Sequence, residues 1–600
     1  MSITSIPRYT RRTFLAGTAA VGAAAALSLS QAHADEASAE AEAADEAVAG
    51  EDETEEETDW KVAPEAPSAD EIVETYDCDV LVIGLGQAGC PALRAAAENG
   101  ASVAAFVNQS EGALTYMGGQ VGHINSQFLA DNGVPQVDTL EFINDWQVRS
   151  NNRSNPGLVR NYATHCGECF DWLIDCLTDD EKAEMSIRQW PTDGITSTAY
   201  SGVKCWIGTV NYQSRVHDNC IEVAVAAGGK IYYDTDAYLL IQDEDGAVTG
   251  AYGLRDDGYV QVNTAKGVIL AAGDFSTNAD MCADLLNEIN WLLPEGGSVA
   301  ASMGRDGKGI RLGYWAGGRL DPCMGAMDGA YWYPCDSPTD PLGATAALWI
   351  NAEGKRYCNE GFGSTELASM PGGYQPSGII SCVFDSNVDE MLMAQPLGHM
   401  SFDYSDGFDS LHETMDAAYA SYQAGEFETA ADEEDSDYVA GEDKATSSAA
   451  TMYAADTLEE LGGYLGYSGE ALENFVAAVE RYNEQCEQGY DLDFGKDSAL
   501  LFPVSTPPYY GYCGTKEMGV VMVTTSGLVV DEYSRVLGDD YRPIEGLFAA
   551  GNNSGCRFGY SYFTSIAGQS LSFAQTQGMM AGIYAATGEL PEGTYVLLNN

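Results

Sequence analysis

Gly84, Gly86 and Gly89 stand at the G-x-G-x-x-G spacing with which a backbone turn receives a pyrophosphate. In that arrangement the first glycine makes the turn and the second lets phosphate oxygens approach the main chain. The third lets the next helix pack close to the strand. The flanking residues supply the remaining parts. Cys78-Asp-Val-Leu-Val-Ile83 reads as a buried strand, Pro91 to Asn99 as a helix, and Gly100-Ala-Ser-Val-Ala-Ala-Phe-Val107 as a second strand. A helix placed there aims its free N-terminal amides at the phosphates. Three glycines alone are a weak signal, but strand, turn, helix and strand in that order predict a dinucleotide site. The second strand ends in Val107 and Asn108 where a ribose-holding Asp or Glu is expected. Asn108 can still bond a hydroxyl, more weakly than a carboxylate would.

Two further passages favour FAD over NAD. Lys266-Gly-Val-Ile-Leu-Ala-Ala-Gly-Asp-Phe-Ser-Thr-Asn278 is a strand ending in a small-residue turn that includes Ala272 and Gly273. Far downstream, Gly527-Leu-Val-Val-Asp531 leads to Pro543-Ile-Glu-Gly-Leu-Phe-Ala-Ala-Gly-Asn-Asn553, which holds Gly551 and Asn552. Ser565-Ile-Ala-Gly-Gln-Ser-Leu-Ser-Phe-Ala574 then reads as a helix start able to face the pyrimidine end of a flavin. From about residue 77 onward, this order of motifs resembles the flavoprotein family of soluble fumarate reductases, urocanate reductases and 3-ketosteroid dehydrogenases. Gly304-Arg-Asp-Gly-Lys-Gly-Ile310 resembles the Thr-Gly-Asp-Gly turn of that family, with Gly307 and Gly309 matching and Lys308 in place of the acid. The resemblance implies non-covalent FAD, with contacts at Gly118, Gly119, Ala237, Ile566 and Ala567 in addition to the residues named above.

The same resemblance argues against fumarate. The proton-delivering arginine that follows Asn-Glu in soluble fumarate reductases corresponds to Ser364, after Gly354-Lys-Arg-Tyr-Cys-Asn-Glu360. The substrate-clamping histidine aligns near Lys516, and the C-terminal His-Gly…Asn-Arg is replaced by Cys556-Arg-Phe-Gly-Tyr-Ser-Tyr562. A dicarboxylate needs several fixed cations, and most are absent. Tyrosines replace them: Tyr331, Tyr333, Tyr509, Tyr510, Tyr512, Tyr560 and Tyr562 fall in stretches that border the flavin in relatives. Such side chains line a flat apolar pocket while offering hydroxyl donors. Gly559-Tyr-Ser-Tyr562 resembles the Gly-His-Thr-Tyr of 3-ketosteroid dehydrogenases. The implied reaction is hydride transfer from flavin N5 to the β-carbon of an α,β-unsaturated carbonyl, acid or lactone. Tyr562, Tyr560 and Tyr333 are the candidate proton donors or carbonyl polarisers. Run backwards, the site is a ketosteroid dehydrogenase. A flavin protein that only carries electrons is the alternative outside enzymology, and the long insert between Asn278 and Pro503 argues against it.

These residues need a Rossmann-like α/β domain, expected over 76–320 and 506–600, with an α+β capping domain inserted at 321–505. Ahead of it, Thr10-Arg11-Arg12-Thr13-Phe14-Leu15, the apolar run to Leu29 and Ala32-His33-Ala34 predict a twin-arginine signal over 1–34. That predicts export across the cytoplasmic membrane. Residues 35–75 hold 17 acids against one lysine, Lys61, and are expected to be a disordered linker. With 91 Asp and Glu, 28 Lys and Arg and a net charge of −63, the chain is a poor partner for nucleic acid. It contains neither a haem-attachment motif nor a second nucleotide fingerprint. Electrons are therefore expected from a separate donor such as a membrane-linked multihaem cytochrome. The 15 cysteines are expected to be mostly free thiols. Cys166, Cys169 and Cys176 could begin an iron–sulfur site, but helical spacing in an apolar stretch favours core packing. No metal is expected, because His123, His165 and His217 lack ligand spacing.

Overall fold

The computed structural model describes residues 59–594 apart from 115, 117–119, 189–201, 205, 208–209, 212, 288–304, 334–346, 361–374, 377–378, 395–406, 428–451, 561, 564–565, 567 and 592. The turn chemistry and the buried apolar runs place a parallel sheet at its centre. β1 (Ile72–Ile83) leads through the glycine turn to α1 (Gly89–Glu98) and back to β2 (Val103–Phe106). α2 (Pro156–Leu173) and α3 (Gln213–Ala226) precede β3 (Lys230–Tyr232), and β4 (Asp236–Gln242), β5 (Val248–Arg255) and β6 (Gly258–Leu270) follow. After α4 (Lys308–Trp315) come β7 (Ala326–Tyr333), β8 (Leu348–Asn351), β9 (Ile379–Asp385), β10 (Tyr453–Ala455) and α5 (Gly469–Gln488). β11 (Tyr509–Thr524), β12 (Arg535–Leu537), β13 (Pro543–Ala549) and α6 (Gln569–Thr587) complete the elements that position the site.

The first sheet runs β12-β13-β6-β1-β2-β3, with β5 and β4 branching from β6. β13, β6, β1, β2 and β3 are mutually parallel, and β12, β5 and β4 are antiparallel to their neighbours. Val80–Ile83 is buried on both faces, as a strand covered by helices on two sides must be. One face packs on α1, α3 and α6 through Val80, Val82, Leu93, Cys220 and Met580. The other packs through Leu81, Ile83, Trp146, Tyr162, Phe558 and Phe573.

α1 and α6 touch along two small residues on each. A Cβ on Gly578 would lie 2.0 Å from the Ala88 carbonyl oxygen, and one on Gly582 would lie 2.3 Å from that of Ala92. Only glycine permits this approach.

The second sheet is antiparallel, ordered β7-β11-β9-β8, with β10 also paired to β11. Alternation assigns its faces: Leu348 and Ile350 join Val383, Phe475 and Val479, whereas Trp349 joins Cys382, Phe384, Leu411 and Tyr512. Its central strand, β11, comes from beyond residue 505, so the antiparallel sheet reaches past the expected boundary of the insert. Arg356 bonds Glu360 at 2.7 Å and Asp491 at 2.8 Å beneath this sheet. Lys496 lies 3.6 Å from Glu360 and donates to the Tyr482 hydroxyl. Burial pushes the Asp491 carboxyl up, but Arg356 and the backbone N–H groups of Lys496 and Asp493 outweigh it and hold the group down at about 2.

The expected linker ends earlier than residue 75. Trp60 is buried among Phe275, Met281, Leu286 and Ile310. Its indole donates to Asp284, and its carbonyl accepts from the Trp315 indole. An indole supplies enough apolar area and a polar handle to anchor a segment that composition alone reads as disordered.

Candidate functional site

The glycine turn after β1 has the geometry its spacing predicts. Gly84 adopts φ +89°, and a Cβ there would meet the Ala272 Cα at 2.6 Å. A Cβ on Gly89 would fall 1.9 Å from the Gly84 oxygen, while one on Gly86 would meet no atom within 4 Å. Gly84 and Gly89 thus close the turn on protein, and Gly86 opens onto space. α1 begins at Gly89, two residues ahead of the expected Pro91, because proline is tolerated in a first turn. No side chain caps that helix and no acid lies in its first turn. The Cys90 N–H donates to the Gly86 carbonyl and Pro91 has no N–H, so the amides at Ala88 and Gly89 are the ones that face an anion, and the cradle fits a pyrophosphate.

Two further turns meet this one. After β6, the Ala272 N–H donates to Asn553 Oδ1 at 2.7 Å, and Asn553 Nδ2 donates to the Gly273 carbonyl. Asn553 is fully buried and fills the space over Gly309, where a Cβ would fall 2.3 Å from its oxygen. Gly551, at φ +62°, stands against Ala88. Asp274 accepts from the N–H groups of Arg305 and Thr524, each at 2.8 Å, and burial raises its carboxyl. Gly307, at φ +79°, caps α4 and donates its N–H to the Asp274 carbonyl. The C-terminal ends of β1, β6 and β13 therefore form one cleft edge, where ligands of open α/β sheets bind.

Asn108 is exposed just beyond β2. Ala237 is buried on β4, next to the Asp236 that pairs with Lys308 at 2.6 Å. Asn552 is not free: its Oδ1 accepts from Arg557 at 2.6 Å. Ile566 is buried ahead of α6, which begins at Gln569, four residues after the expected Ser565, because Gly568 at φ +82° forms the cap. Gly118, Gly119, Ala567 and Ser364 lie outside the described residues, as does the Lys516 side chain.

The three candidate tyrosines are not brought together. Tyr562 is buried, and its hydroxyl accepts from the Ser570 N–H at 3.4 Å in the first turn of α6. Tyr560 is exposed, with the Arg153 guanidinium 4.8 Å above its ring. Tyr333 closes β7, opposite Thr515, and its side chain lies outside the described ones.

Several site residues carry no sequence signature. Gln87, inside the glycine turn, donates to Gln213 of α3 at 2.6 Å and accepts from Gln575 of α6 at 2.7 Å. His217 stacks on Tyr116 at 4.3 Å and donates from Nδ1 to the Gln213 carbonyl, and burial lowers it to about 4. His123 stacks on Phe170 and is lowered by burial to about 3. Cys166 and Cys169 are buried on α2, where desolvation raises both thiols. The 13 described cysteines are all free.

Comparison with known proteins matches residues 79–571 to the family described as an FAD binding domain. The chain belongs to this family. It is similar to a vinyl phenol reductase of Lactiplantibacillus plantarum, at 26% identity over 534 residues, 85% of this chain and 96% of that protein. It is also similar to a urocanate reductase of Eggerthella lenta, at 26% identity over 539 residues, 88% of this chain and 77% of that protein. The solved 3-ketosteroid-Δ4-(5α)-dehydrogenase of Rhodococcus jostii shares the fold, with a TM-score of 0.60 at 20% identity over 87% of this chain and 99% of that one. The chain is an FAD-dependent oxidoreductase of the class acting on CH–CH groups, within the family of fumarate and urocanate reductases and ketosteroid dehydrogenases.

Proposed function

We propose that the chain is an exported reductase that saturates an activated C=C bond in an apolar or aromatic small molecule. The carrying observation is the placement of Tyr562, buried with its hydroxyl at the start of α6. Non-covalent FAD, when bound, supplies the electron pair that the double bond accepts. The turns at Gly84–Gly89, Ala272–Gly273 and Gly551–Asn553 would hold it, and Asn108 would bond a ribose hydroxyl. Tyr562 delivers the proton to the α-carbon. The Ser570 N–H, at the positive end of the helix, favours the phenolate that remains. Burial of the tyrosine excludes competing water from that transfer.

The twin-arginine segment directs the protein across the cytoplasmic membrane, and electrons come from a separate donor, such as a membrane-linked multihaem cytochrome. The test is anaerobic reoxidation of the reduced holoenzyme against fumarate, urocanate, cinnamate, enone steroids and unsaturated lactones. One apolar ene compound is expected to reoxidise the flavin rapidly. Tyr562→Phe is expected to slow that step by about 10²–10⁴-fold, the usual scale of general acid catalysis. Fast reoxidation by fumarate, or an unchanged rate in Tyr562→Phe, refutes the reading.

A further inference from the structure

Arg153 is held where two segments bearing candidate tyrosines meet. Its guanidinium lies 4.8 Å from the Tyr560 ring centroid, two residues before Tyr562. Its Nη1 donates to the Cys323 thiol at 3.5 Å, three residues before the strand that ends in Tyr333. Gly559, at φ +88°, brings the loop against the arginine, since a Cβ there would lie 3.1 Å from the Arg153 Cβ.

Among the described residues, what Arg153 lacks is an acid. Arg94, Arg149, Arg255, Arg311, Arg356 and Arg535 each pair with a carboxylate, whereas Arg153 has none within ion-pair distance among the described residues. Arg153 is exposed, and among the described residues its guanidinium meets a thiol and a ring rather than a carboxylate. The nearby Asp321 carboxylate is occupied, accepting from the N–H groups of Cys323 and Cys556. Arg557 is the other guanidinium near these segments, and its Nη1 has no hydrogen-bond partner among the described residues. It is fully buried, and it donates to the carbonyls of Ser554 and Thr525 and to Asn552.

A guanidinium over an aromatic ring, with Nη1 donating to Cys323, keeps the Nε and Nη2 edge for two parallel N–H···O bonds to a carboxylate. We propose that Arg153, seated on Tyr560, is the anchor for a single carboxylate on the substrate, and so selects monoanionic unsaturated acids over neutral analogues. The inference rests on the ene-reductase reading for the identity of the reacting molecule. One cation at this position suits one carboxylate, in keeping with the loss of the several cations that fumarate requires.

The test pairs cinnamate with neutral cinnamamide, with binding to the oxidised holoenzyme read from the flavin absorption band. The unmodified protein is expected to bind cinnamate about tenfold more tightly, equivalent to 1.4 kcal/mol. Arg153→Gln removes that preference without weakening cinnamamide, and Arg153→Lys retains part of it. In the unmodified protein, raising the ionic strength from ~0.05 to ~0.5 M weakens cinnamate alone, because only the charged ligand is screened. Equal affinities in the unmodified protein, or a loss in Arg153→Gln shared equally by both ligands, overturn the anchor. Reoxidation measured on the same samples separates the two readings. Charge-selective binding without reoxidation by any ene compound refutes the reductase and retains the anchor.

Discussion

Replacing Gly578 by alanine sets two effects of known size against each other. In an exposed helix the change stabilises by about 1 kcal/mol, because alanine loses less backbone entropy. In α6 the new Cβ would stand 2.0 Å from the Ala88 carbonyl oxygen and 2.8 Å from its carbon. Restoring ordinary contact at about 3.5 Å requires the helices to part by about 1.5 Å. Overpacking of this kind costs about 1–3 kcal/mol, and the upper end applies because the obstacle is backbone that cannot rotate away. The net expectation is a loss of about 1–2 kcal/mol. Ala88 is the N-cap of α1, so the displacement falls on the amides that would meet a pyrophosphate in the proposed site. FAD affinity should therefore drop by about tenfold, the equivalent of one weakened charge-assisted hydrogen bond. Urea unfolding of the apo form gives the stability, and quenching of flavin fluorescence on titration gives the affinity. Gly582→Ala is the control: its Cβ meets Ala92 at mid-helix, so stability should fall while affinity changes less. A more stable Gly578→Ala protein with unaltered FAD affinity would refute the reasoning.

Arg356→Ala should destabilise the second sheet by about 3–5 kcal/mol, since it leaves Glu360 and Asp491 buried with Lys496 as the remaining cation. Urea titration followed by tyrosine fluorescence checks this, and a loss below about 1 kcal/mol would place the network in solvent. Acid should weaken the fold through His123 and His217, whose pKa values burial lowers to about 3 and about 4. A histidine depressed in the folded state leaves stability intact above the unfolded value near 6.5 and loses it as pH falls towards the folded value. Asp274 and Asp321, raised by burial, act in the opposite sense as the pH drops. Unfolding midpoints in urea at about pH 7, 5.5 and 4.5 should decline progressively, and His217→Gln should flatten the decline. A decline of equal slope in His217→Gln and the unmodified protein would show that the His217 ring is not buried in the neutral form.

The parallel sheet and its first turn were legible because their signals are local. Buried strands, glycine spacing and helix start fall within thirty residues of one another, and each glycine does there what its position requires. The partners that complete the site come from far along the chain. Asn553 binds the turn 280 residues earlier, Gln575 reaches Gln87 across 488 positions, and the Gly578–Gly582 contact needs α1 to give it meaning. One sequence cannot reveal such pairs, since an asparagine or a glutamine is as ordinary in a loop as in a buried staple. Trp60 escaped for the opposite reason: an acidic neighbourhood masked one anchoring side chain. The tyrosines named as a group separate into a buried Tyr562 and an exposed Tyr560, because an apolar shell encloses one ring and a guanidinium covers the other.

The pairing of β6 with β13 also fixes when the protein can become competent. Val268–Leu270 matches Leu547–Ala549, residues separated by 279 positions. At about 5–20 residues per second, a ribosome needs about 14–56 s to pass from one partner to the other. During that interval the Val268–Leu270 part of the β6 edge, beyond its pairing with β5, has no partner strand, and the turn at Ala272 and Gly273 has no Asn553 to close it. Nucleotide insertion is thereby deferred until nearly the whole chain has been made.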